Sequence, residues 1–383
     1  MLGTLRFAQP TGHQQAVGSI HVISLKVLAL PADVEALEKE KILRITTFLL
    51  ARVAVWAALL LAPLTAQAIS TIKISLASPG PASFSYLPID LIKKIGADQA
   101  EGVDLDIRYL GGGPLAAKEM LDGNSDFAAL GMSALATFHA NGKDVRSIVS
   151  LSRAPTYVLS VRSDLRKNIK KIADLKGRVI GVHSGGRNNK STSQQLAEFM
   201  LIRAGISPDS VNYLPAGQSY EEQRAALASG TIDALMGEEP FSTRMKEEGL
   251  VYVLADLLEP SASRQALGGP LLYVQIATRG SVMTQQPEKA KRMVAIMRRT
   301  LQWISTHSPD EIARALAGNN SEPLGSSLLI ARVKPAFSPD GVFRREEVAT
   351  VERFFQTVFS DDPKARSLRM TDFIDARYAG WKE

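Results

Sequence analysis

The sequence predicts an α/β protein with two similar lobes and a ligand cleft between them. Two stretches, 107 positions apart, repeat one pattern: a helix end, a glycine, two small or polar residues, an aspartate and a short apolar strand. Gly123 aligns with Gly230, and Asp126 aligns with Asp233. Glycine suits the left-handed residue just past a helix end, and an apolar run suits a strand covered on both faces. The repeat indicates two αβ lobes; the alternative is that any two αβ junctions look alike.

The first lobe alternates strands and helices from residue 71 onwards. Its predicted elements are a strand at 72–76, a loop at 78–85, a helix at 86–95, a strand at 103–110, a helix through Met120, the strand after Asp126, a helix opened by Gly131-Met132-Ser133, and a strand at 145–151. This βαβα order predicts a parallel sheet covered on both faces.

The second lobe is predicted to begin after Pro155. Its elements are strands at 157–161 and 179–182, a polar loop at 183–190, a helix ending at Ala204, a strand at 211–214, a helix at 220–228 and the strand after Asp233. Residues 272–277 then return to the first lobe. We assign 69–155 plus 274–383 to lobe 1 and 156–273 to lobe 2. The C-terminal part is predicted to be helical, with an apolar stripe from Ala290 to Ile304, while 318–345 lack periodicity.

Residues 1–68 are predicted to lie outside the fold, as an N-terminal extension and a secretory signal peptide. A basic segment, Arg44 to Arg52, precedes ten uncharged residues, Val53 to Ala62, and Ala66-Gln67-Ala68 follows. This order is typical of a signal cut after Ala68, and the apolar run is too short to span a bilayer comfortably. An uncleaved anchor is the alternative. We expect an exported, periplasmic protein, with translation starting near Leu43.

Composition excludes several classes of function. The chain has no cysteine, which excludes disulfides, thiolate metal sites and a cysteine nucleophile. Its net charge of +6 is interspersed along the chain, so no nucleic-acid partner is expected. The outline of a dinucleotide fingerprint at 111–116 follows the second strand rather than the first and lacks the acidic residue that should follow. We therefore expect no cofactor and no metal.

The polar loops that join strands to helices are the candidate ligand contacts. The loop 184–191 precedes a helix N-terminus, which favours anions, and Arg187 adds a planar two-pronged donor. Loops 78–85 and 131–133 take the same place in lobe 1, at the carboxyl ends of strands where ligands bind in open α/β sheets. Glu238 and Glu239 end the second aspartate strand; either an acid–base pair or a helix start is possible there. We favour Glu239 as an acceptor for a ligand N–H or O–H group.

Two segments carry a resemblance to a known family. Residues 172–182 resemble a signature of exported solute-binding proteins, and 226–234 followed by Glu239-Pro240 resemble the "AL-x-x-G-x-x-DA … EP" signature of one branch. That branch is the nitrate/sulfonate/taurine-type substrate-binding proteins of ABC importers, which includes thiamine-pyrimidine-precursor binders. The resemblance implies a type II periplasmic-binding fold, with lobes joined by crossings near Ser152–Tyr157 and Gly269–Tyr273. It also implies partner permease and ATPase subunits.

The resemblance and the loop positions together predict the ligand-contacting residues. They are Ser78, Gly80, Ser83, Phe84, Tyr86, Gly131, Met132, Ser133, Ser184, Gly185, Arg187, Asn188, Ser219, Tyr220 and Glu239. Family members that act as pyrimidine-making enzymes use a cysteine-rich motif, which this chain lacks.

We therefore expect a monomeric, non-enzymatic periplasmic protein that delivers a small anionic organic solute, sulfonate-, nitrate- or taurine-like or a pyrimidine precursor, to an ABC importer. One alternative is a sensor of the same fold that presents its ligand to a signalling receptor. A further alternative is an enzyme that uses Glu238 and Glu239 as its carboxylates.

Overall fold

The computed structural model describes residues 71–383 apart from 79–82, 111, 184–189, 318–325 and 361–362, together with residues 41, 43–44 and 46–48. These last few residues are helical and exposed. Most of the predicted signal peptide, including the cleavage position after Ala68, lies outside the described residues. In the described part of the chain, no helix is long and apolar enough to cross a membrane.

Ten strands form two five-stranded sheets within the described residues. The first sheet has the order β2-β1-β3-β10-β4 and contains β1 (Ile72–Ser78), β2 (Val103–Tyr109), β3 (Phe127–Gly131), β4 (Val145–Ser150) and β10 (Val274–Arg279). The second has the order β7-β6-β8-β5-β9 and contains β5 (Tyr157–Arg162), β6 (Val179–Val182), β7 (Asn212–Pro215), β8 (Ala234–Glu238) and β9 (Val251–Asp256). A short pair, β11 (Phe343–Arg344) and β12 (Trp381–Lys382), lies apart from both.

The helices follow the predicted alternation. They are α1 (Leu87–Leu91), α2 (Ala97–Ala100), α3 (Gly113–Leu121), α4 (Met132–Ala140), α5 (Thr192–Arg203), α6 (Tyr220–Ala228), α7 (Phe241–Glu247), α8 (Pro260–Leu267), α9 (Gly280–Gln285), α10 (Pro287–Thr306), α11 (Pro309–Ala317), α12 (Ser327–Val333), α13 (Arg345–Val358) and α14 (Pro363–Arg366). The predicted α/β class with two lobes is confirmed. The segment 318–345, which lacks periodicity, contains α12.

The sheets are mixed rather than fully parallel, which corrects one expectation. In the first sheet β10 runs antiparallel to β3 and β4, and in the second β5 runs antiparallel to β8 and β9. Each of these strands follows a segment that crosses from the other sheet, so it enters its new sheet from the opposite end. The βα units themselves pair in parallel, and β3 is buried at all of its positions.

The repeated aspartates have equivalent roles in the two lobes. Asp126 Oδ2 accepts from the backbone N–H of Ser75 at 2.9 Å, and Asp233 Oδ2 accepts from that of Val179 at 3.0 Å. Each carboxylate therefore ties the start of one strand to its parallel neighbour. Gly123 and Gly230 have φ angles of 86° and 75°, in the left-handed region that favours glycine. The repeat in the sequence corresponds to a repeated structural unit.

Two segments cross between the sheets, and they pair with each other. Tyr273 N donates to Ser152 O at 3.0 Å, and Leu271 N donates to Arg153 O at 2.9 Å. The C-terminal helices contact both lobes: Ile330 and Val333 of α12 pack with Phe84, while the ring of Phe354 on α13 lies 5.0 Å from that of Phe199 on α5. The crossings and these helices hold the two sheets so that strand ends meet at one cleft.

Candidate functional site

The lobe 1 wall of the cleft is built around the start of α4. Gly131 ends β3 and is the N-cap residue of α4, and a Cβ atom added to it would lie 3.8 Å from Thr192 Oγ1 of lobe 2. Met132 N donates to Tyr273 O at 2.8 Å, which fixes the helix start to a crossing segment. The first N–H groups of a helix lack partners within the helix and carry a partial positive charge. This wall therefore offers donors to a bound group.

Two buried serines at this wall have unused hydroxyl groups. Ser78 at the end of β1 is fully buried, Ser133 in the first turn of α4 is 3% exposed, and neither Oγ has a hydrogen-bond partner among the described residues. A buried hydroxyl without a partner costs free energy. Because both serines lie at the carboxyl ends of adjacent parallel strands, a ligand in the cleft is a natural partner for them.

Glu238 extends from lobe 2 to hydroxyl groups of lobe 1. It ends β8, and its carboxylate accepts from Ser83 Oγ at 3.2 Å and from Ser85 Oγ at 3.1 Å. Tyr273 in the second crossing donates to the same carboxylate at 3.3 Å. Ser85 also lies 2.6 Å from Thr156 Oγ1, in the first crossing. One carboxylate thus joins both lobes and a crossing segment.

Aromatic side chains surround this carboxylate. The rings of Tyr157 and Tyr273 meet edge to face at 6.0 Å, and that of His183 lies 5.4 Å from Tyr157. Burial, and then the negative charge of Glu238, raise the pKa values of Tyr86, Tyr157 and Tyr273. Burial lowers the pKa of His183, although Glu238 opposes that shift. The phenols therefore stay protonated as hydrogen-bond donors, and the imidazole is neutral at pH 7.

Glu239 has a different environment from Glu238. It is 1% exposed, and its carboxylate accepts from Thr243 N at 3.0 Å and from Thr243 Oγ1 at 2.8 Å. Arg332 of α12 forms ion pairs with both Glu239 and Asp256. These contacts use the carboxylate within the protein, and the predicted ligand contact of Glu239 stays a prediction.

The structure brings only part of the predicted set together. Ser83 and Tyr86 lie beside Glu238, and Gly131, Met132, Ser133 and Ser78 form the lobe 1 wall. Phe84 packs into an apolar cluster with α10–α12. Ser219 caps α6, while Tyr220 contacts Phe241, Arg244 and Glu248 rather than the Glu238 carboxylate. Gly80, Ser184, Gly185, Arg187 and Asn188 lie outside the described residues.

Sequence reasoning missed the residues of the two crossings that lie around the Glu238 carboxylate. Thr156, Tyr157 and Tyr273 lie in the predicted crossings, but nothing in the sequence indicated that they surround a carboxylate. Ser85 lies at the end of the predicted ligand loop 78–85, although it was not among the predicted contact residues. Glu238 was weighed only as an acid–base partner or helix start. Within the described residues, no group of three or more His, Cys, Asp or Glu side chains is arranged to hold a metal ion.

Comparison with known families and sequences identifies relatives. The family described as "NMT1/THI5 like" matches residues 99–312, more than half of the chain. The protein YtlA of Bacillus subtilis (strain 168), which is named as a binding protein, is 24% identical to this chain over 272 residues. The match covers 69% of this chain and 77% of YtlA.

Solved structures share the fold. A protein of Bordetella bronchiseptica RB50 matches with a TM-score of 0.69 and 24% identity, over 80% of this chain and 95% of its own. The alkanesulfonate-binding protein SsuA of Xanthomonas axonopodis pv. citri, bound to MOPS, matches with a TM-score of 0.61 and 15% identity, over 80% of this chain and 98% of its own. A mutant of DszB, in complex with biphenyl-2-sulfinic acid, shares the fold at a TM-score of 0.55 and 17% identity, over 80% of this chain and 97% of its own. The chain therefore shares the periplasmic-binding-protein fold of these structures.

The resemblance read from residues 172–182 and 226–240 is thus confirmed, and so is the two-lobed periplasmic-binding fold. Because the family match extends over more than half of its length, the chain belongs to the NMT1/THI5-like family.

Proposed function

We propose that this chain is the exported substrate-binding component of an ABC importer and that it delivers a small organic solute with an anionic group. The observation that carries the proposal is Glu238, which accepts hydrogen bonds from Ser83 and Ser85 of the opposite lobe. A polar cleft whose two walls are joined by such reversible bonds is suited to opening and closing around a solute. Family membership and the sulfonate-binding neighbour support the same role.

The lobe 1 wall supports the anionic character of the solute. The hydroxyl groups of Ser78 and Ser133 are buried without partners, and they adjoin the N-terminus of α4. Hydroxyl donors and helix-start N–H groups favour a carboxylate, sulfonate or similar anion. Arg187, predicted from the sequence, would add a second contact from lobe 2. A solute held by both walls stabilises the closed form that permease and ATPase subunits would recognise.

A binding assay with a panel of solutes tests this function. Sulfonates, carboxylates, nitrate and pyrimidines are added to the purified protein, and binding is detected by thermal shift and quantified by calorimetry. We expect saturable one-to-one binding of an anionic solute, which is recovered intact after long incubation. Chemical conversion of the solute would favour the enzyme alternative. The sensor alternative would be favoured if the host's response to the solute were lost on disruption of a neighbouring receptor gene but kept on disruption of a permease gene.

A further inference from the structure

We propose that Arg332, Glu239 and Asp256 form an ionic clamp between the lobes, which holds them in the closed arrangement whether or not a solute is bound. The arginine is carried by α12, which packs on the first lobe, and the two carboxylates belong to the second sheet. The inference goes beyond the proposed function, because it concerns the resting angle between the lobes. In this role Arg332 positions the lobes and need not touch a solute.

Helix α12 is fixed to the first lobe by apolar packing. Ile330 and Val333 are at most 1% exposed, and they lie in one apolar cluster with Phe84, which stands between β1 and β2. Just after the helix, Ala336 O accepts from Arg153 N at 2.8 Å. Because protein interiors are close-packed, such an interface resists sliding. We therefore expect α12 to move together with the first lobe.

Both carboxylates of the clamp stand at strand ends of the second sheet. Glu239 directly follows β8, and Asp256 is the last residue of β9. Arg332 forms an ion pair with each of them, and its Nη1 also donates to Thr243 Oγ1 at 3.0 Å. A guanidinium presents its donors in a fixed planar fork, so two simultaneous ion pairs fix a direction as well as a distance. A rotation of one lobe against the other distorts at least one of these pairs.

The clamp is largely removed from water. The side chain of Glu239 is 1% exposed, that of Asp256 is 13% exposed and that of Arg332 is 27% exposed. Buried ion pairs are screened less by salt, and separating them costs more than separating surface pairs. If Arg332 withdrew, the buried carboxylate of Glu239 would keep the neutral donors of Thr243 but lose its cation. Both ion pairs join protein side chains, so they favour the closed arrangement without help from a solute.

The clamp lies beside the first crossing. Glu239 N donates to Thr156 O at 3.0 Å, and Leu257 N, next to Asp256, donates to Tyr157 O at 3.0 Å. Both carboxylates are therefore held close to a segment that acts as a hinge when the lobes turn. Near a hinge, a small displacement corresponds to a large change of angle. Two short ion pairs at this place therefore restrict a wide movement at the mouth of the cleft.

The distance between labels on the two lobes tests the proposal. Because the chain has no cysteine, Leu115→Cys on α3 and Ala225→Cys on α6, both exposed, place one spin label on each lobe. Pulsed electron paramagnetic resonance measures their separation in protein refolded from urea, which removes any solute. We expect the ratio of long to short distances to rise at least about ten-fold in Arg332→Met. Arg345→Met, which breaks an exposed pair with Glu383, should keep the wild-type distances.

A second variant keeps the test decisive if Arg332→Met does not fold, which circular dichroism shows. Asp256→Asn keeps an oxygen for Leu258 N but removes one charge of the clamp, so it should shift the distances in the same direction by less. An arginine with a merely structural role would lower the melting temperature and leave the label distances of the folded molecules unchanged.

The outcomes separate the clamp from the proposed function. Wild-type distances in the folded variants of Arg332 and Asp256 would overturn the clamp, and so would an equal lengthening in Arg345→Met. Longer distances in the two clamp variants alone would support it. Since no solute enters this measurement, a protein that binds none of the solute panel would contradict the proposed function and leave the clamp standing.

Discussion

The adjacent residues Glu238 and Glu239 have side chains in different environments. Glu238 is the last residue of β8 and faces Ser83, Ser85 and Tyr273, whereas Glu239 is buried against Arg332 and Thr243. Successive side chains of an extended chain point to opposite sides. The two carboxylates therefore have different partners: Glu238 faces the hydroxyl groups across the cleft, and Glu239 anchors α12.

The Arg332 side chain is predicted to contribute strongly to stability. In Arg332→Met, the carboxylate of Glu239 stays buried without its cation, and Asp256 also loses its partner. Breaking a buried pair in this way costs about 3 kcal/mol, and urea unfolding should show a loss of that size. Arg345→Met removes an exposed pair with Glu383 and should cost less than about 1 kcal/mol. Equal losses in the two variants would refute the anchoring role.

Ser133 is predicted to serve binding at the expense of stability. Because its buried hydroxyl has no partner in the described residues, Ser133→Ala should raise the free energy of unfolding by up to about 1 kcal/mol without solute. The same change should weaken solute binding about ten-fold. Urea unfolding and calorimetry measure the two effects.

Ser147 provides the matched comparison for Ser133. It is equally buried but donates to Gln275, so Ser147→Ala should lower stability. If Ser133→Ala also lowered stability and left affinity unchanged, Ser133 would be an ordinary structural serine.

At the scale of elements, the repeated aspartates define what makes the two lobes alike. Asp126 and Asp233 each bind a backbone N–H of the neighbouring strand, and Asp126 additionally accepts from Lys289 at 2.8 Å. Hydrogen bonds to charged groups contribute about 2 kcal/mol each. Urea unfolding should therefore show a loss of about 2 kcal/mol in Asp233→Ala and a larger loss in Asp126→Ala.

Asp122 is the control for that pair. It lies on the surface four residues from Lys118, so Asp122→Ala should change the free energy of unfolding by less than about 1 kcal/mol. Losses that do not exceed this control would show that the repeated aspartates do not tie the strands together.

Glu347 of α13 makes the region of the crossings sensitive to pH. It is fully buried, its carboxylate lies 3.1 Å from Arg153 Nε, and its backbone carbonyl accepts from Leu272 N. Burial raises the pKa of this carboxyl to about 7, although Arg153 opposes the shift. The carboxyl of an unfolded chain has a pKa of about 4.3, so the folded state holds the proton more tightly.

The sign of the pH effect follows from that difference. The contribution of Glu347 to stability is greatest below about pH 4 and falls as the pH rises towards about 7. Relative to Glu347→Gln, the wild type should lose up to about 3 kcal/mol of unfolding free energy between about pH 4 and about pH 8. Denaturant unfolding across this range measures the loss. The exposed neighbour variant Glu346→Gln should follow the wild type; a Glu347→Gln profile parallel to the wild type would refute the assignment.

The sequence predicted the elements better than their pairing. Glycine after helix ends, aspartate before buried strands and apolar periodicity are local signals, so both lobes and the long helix α10 were predictable. The antiparallel strands β5 and β10 were not, because a strand's direction depends on the sheet from which the chain arrives. Tyr157 and Tyr273 were not predicted as candidate site residues, because they come close to Glu238 only through the way the two crossing segments pass between the sheets.

At the scale of the whole molecule, the contacts between lobes are of two kinds. The crossings pair through backbone hydrogen bonds such as Tyr273 N to Ser152 O, which are suited to a permanent hinge. Across the cleft, Glu238 meets the hydroxyl groups of Ser83 and Ser85, which a solute or water can replace. A protein with a fixed hinge and an exchangeable cleft contact can couple solute binding to lobe closure.

The central claim is that this molecule carries a small anionic solute in its cleft. The most direct measurement is to purify the protein from its native host, denature it, and identify any released small molecule by mass spectrometry. The account predicts one intact solute per protein, and this solute carries an acidic group. Release of a solute that lacks an acidic group would contradict the proposed anionic class. A protein that holds no solute and binds none of the panel would contradict the binding function itself.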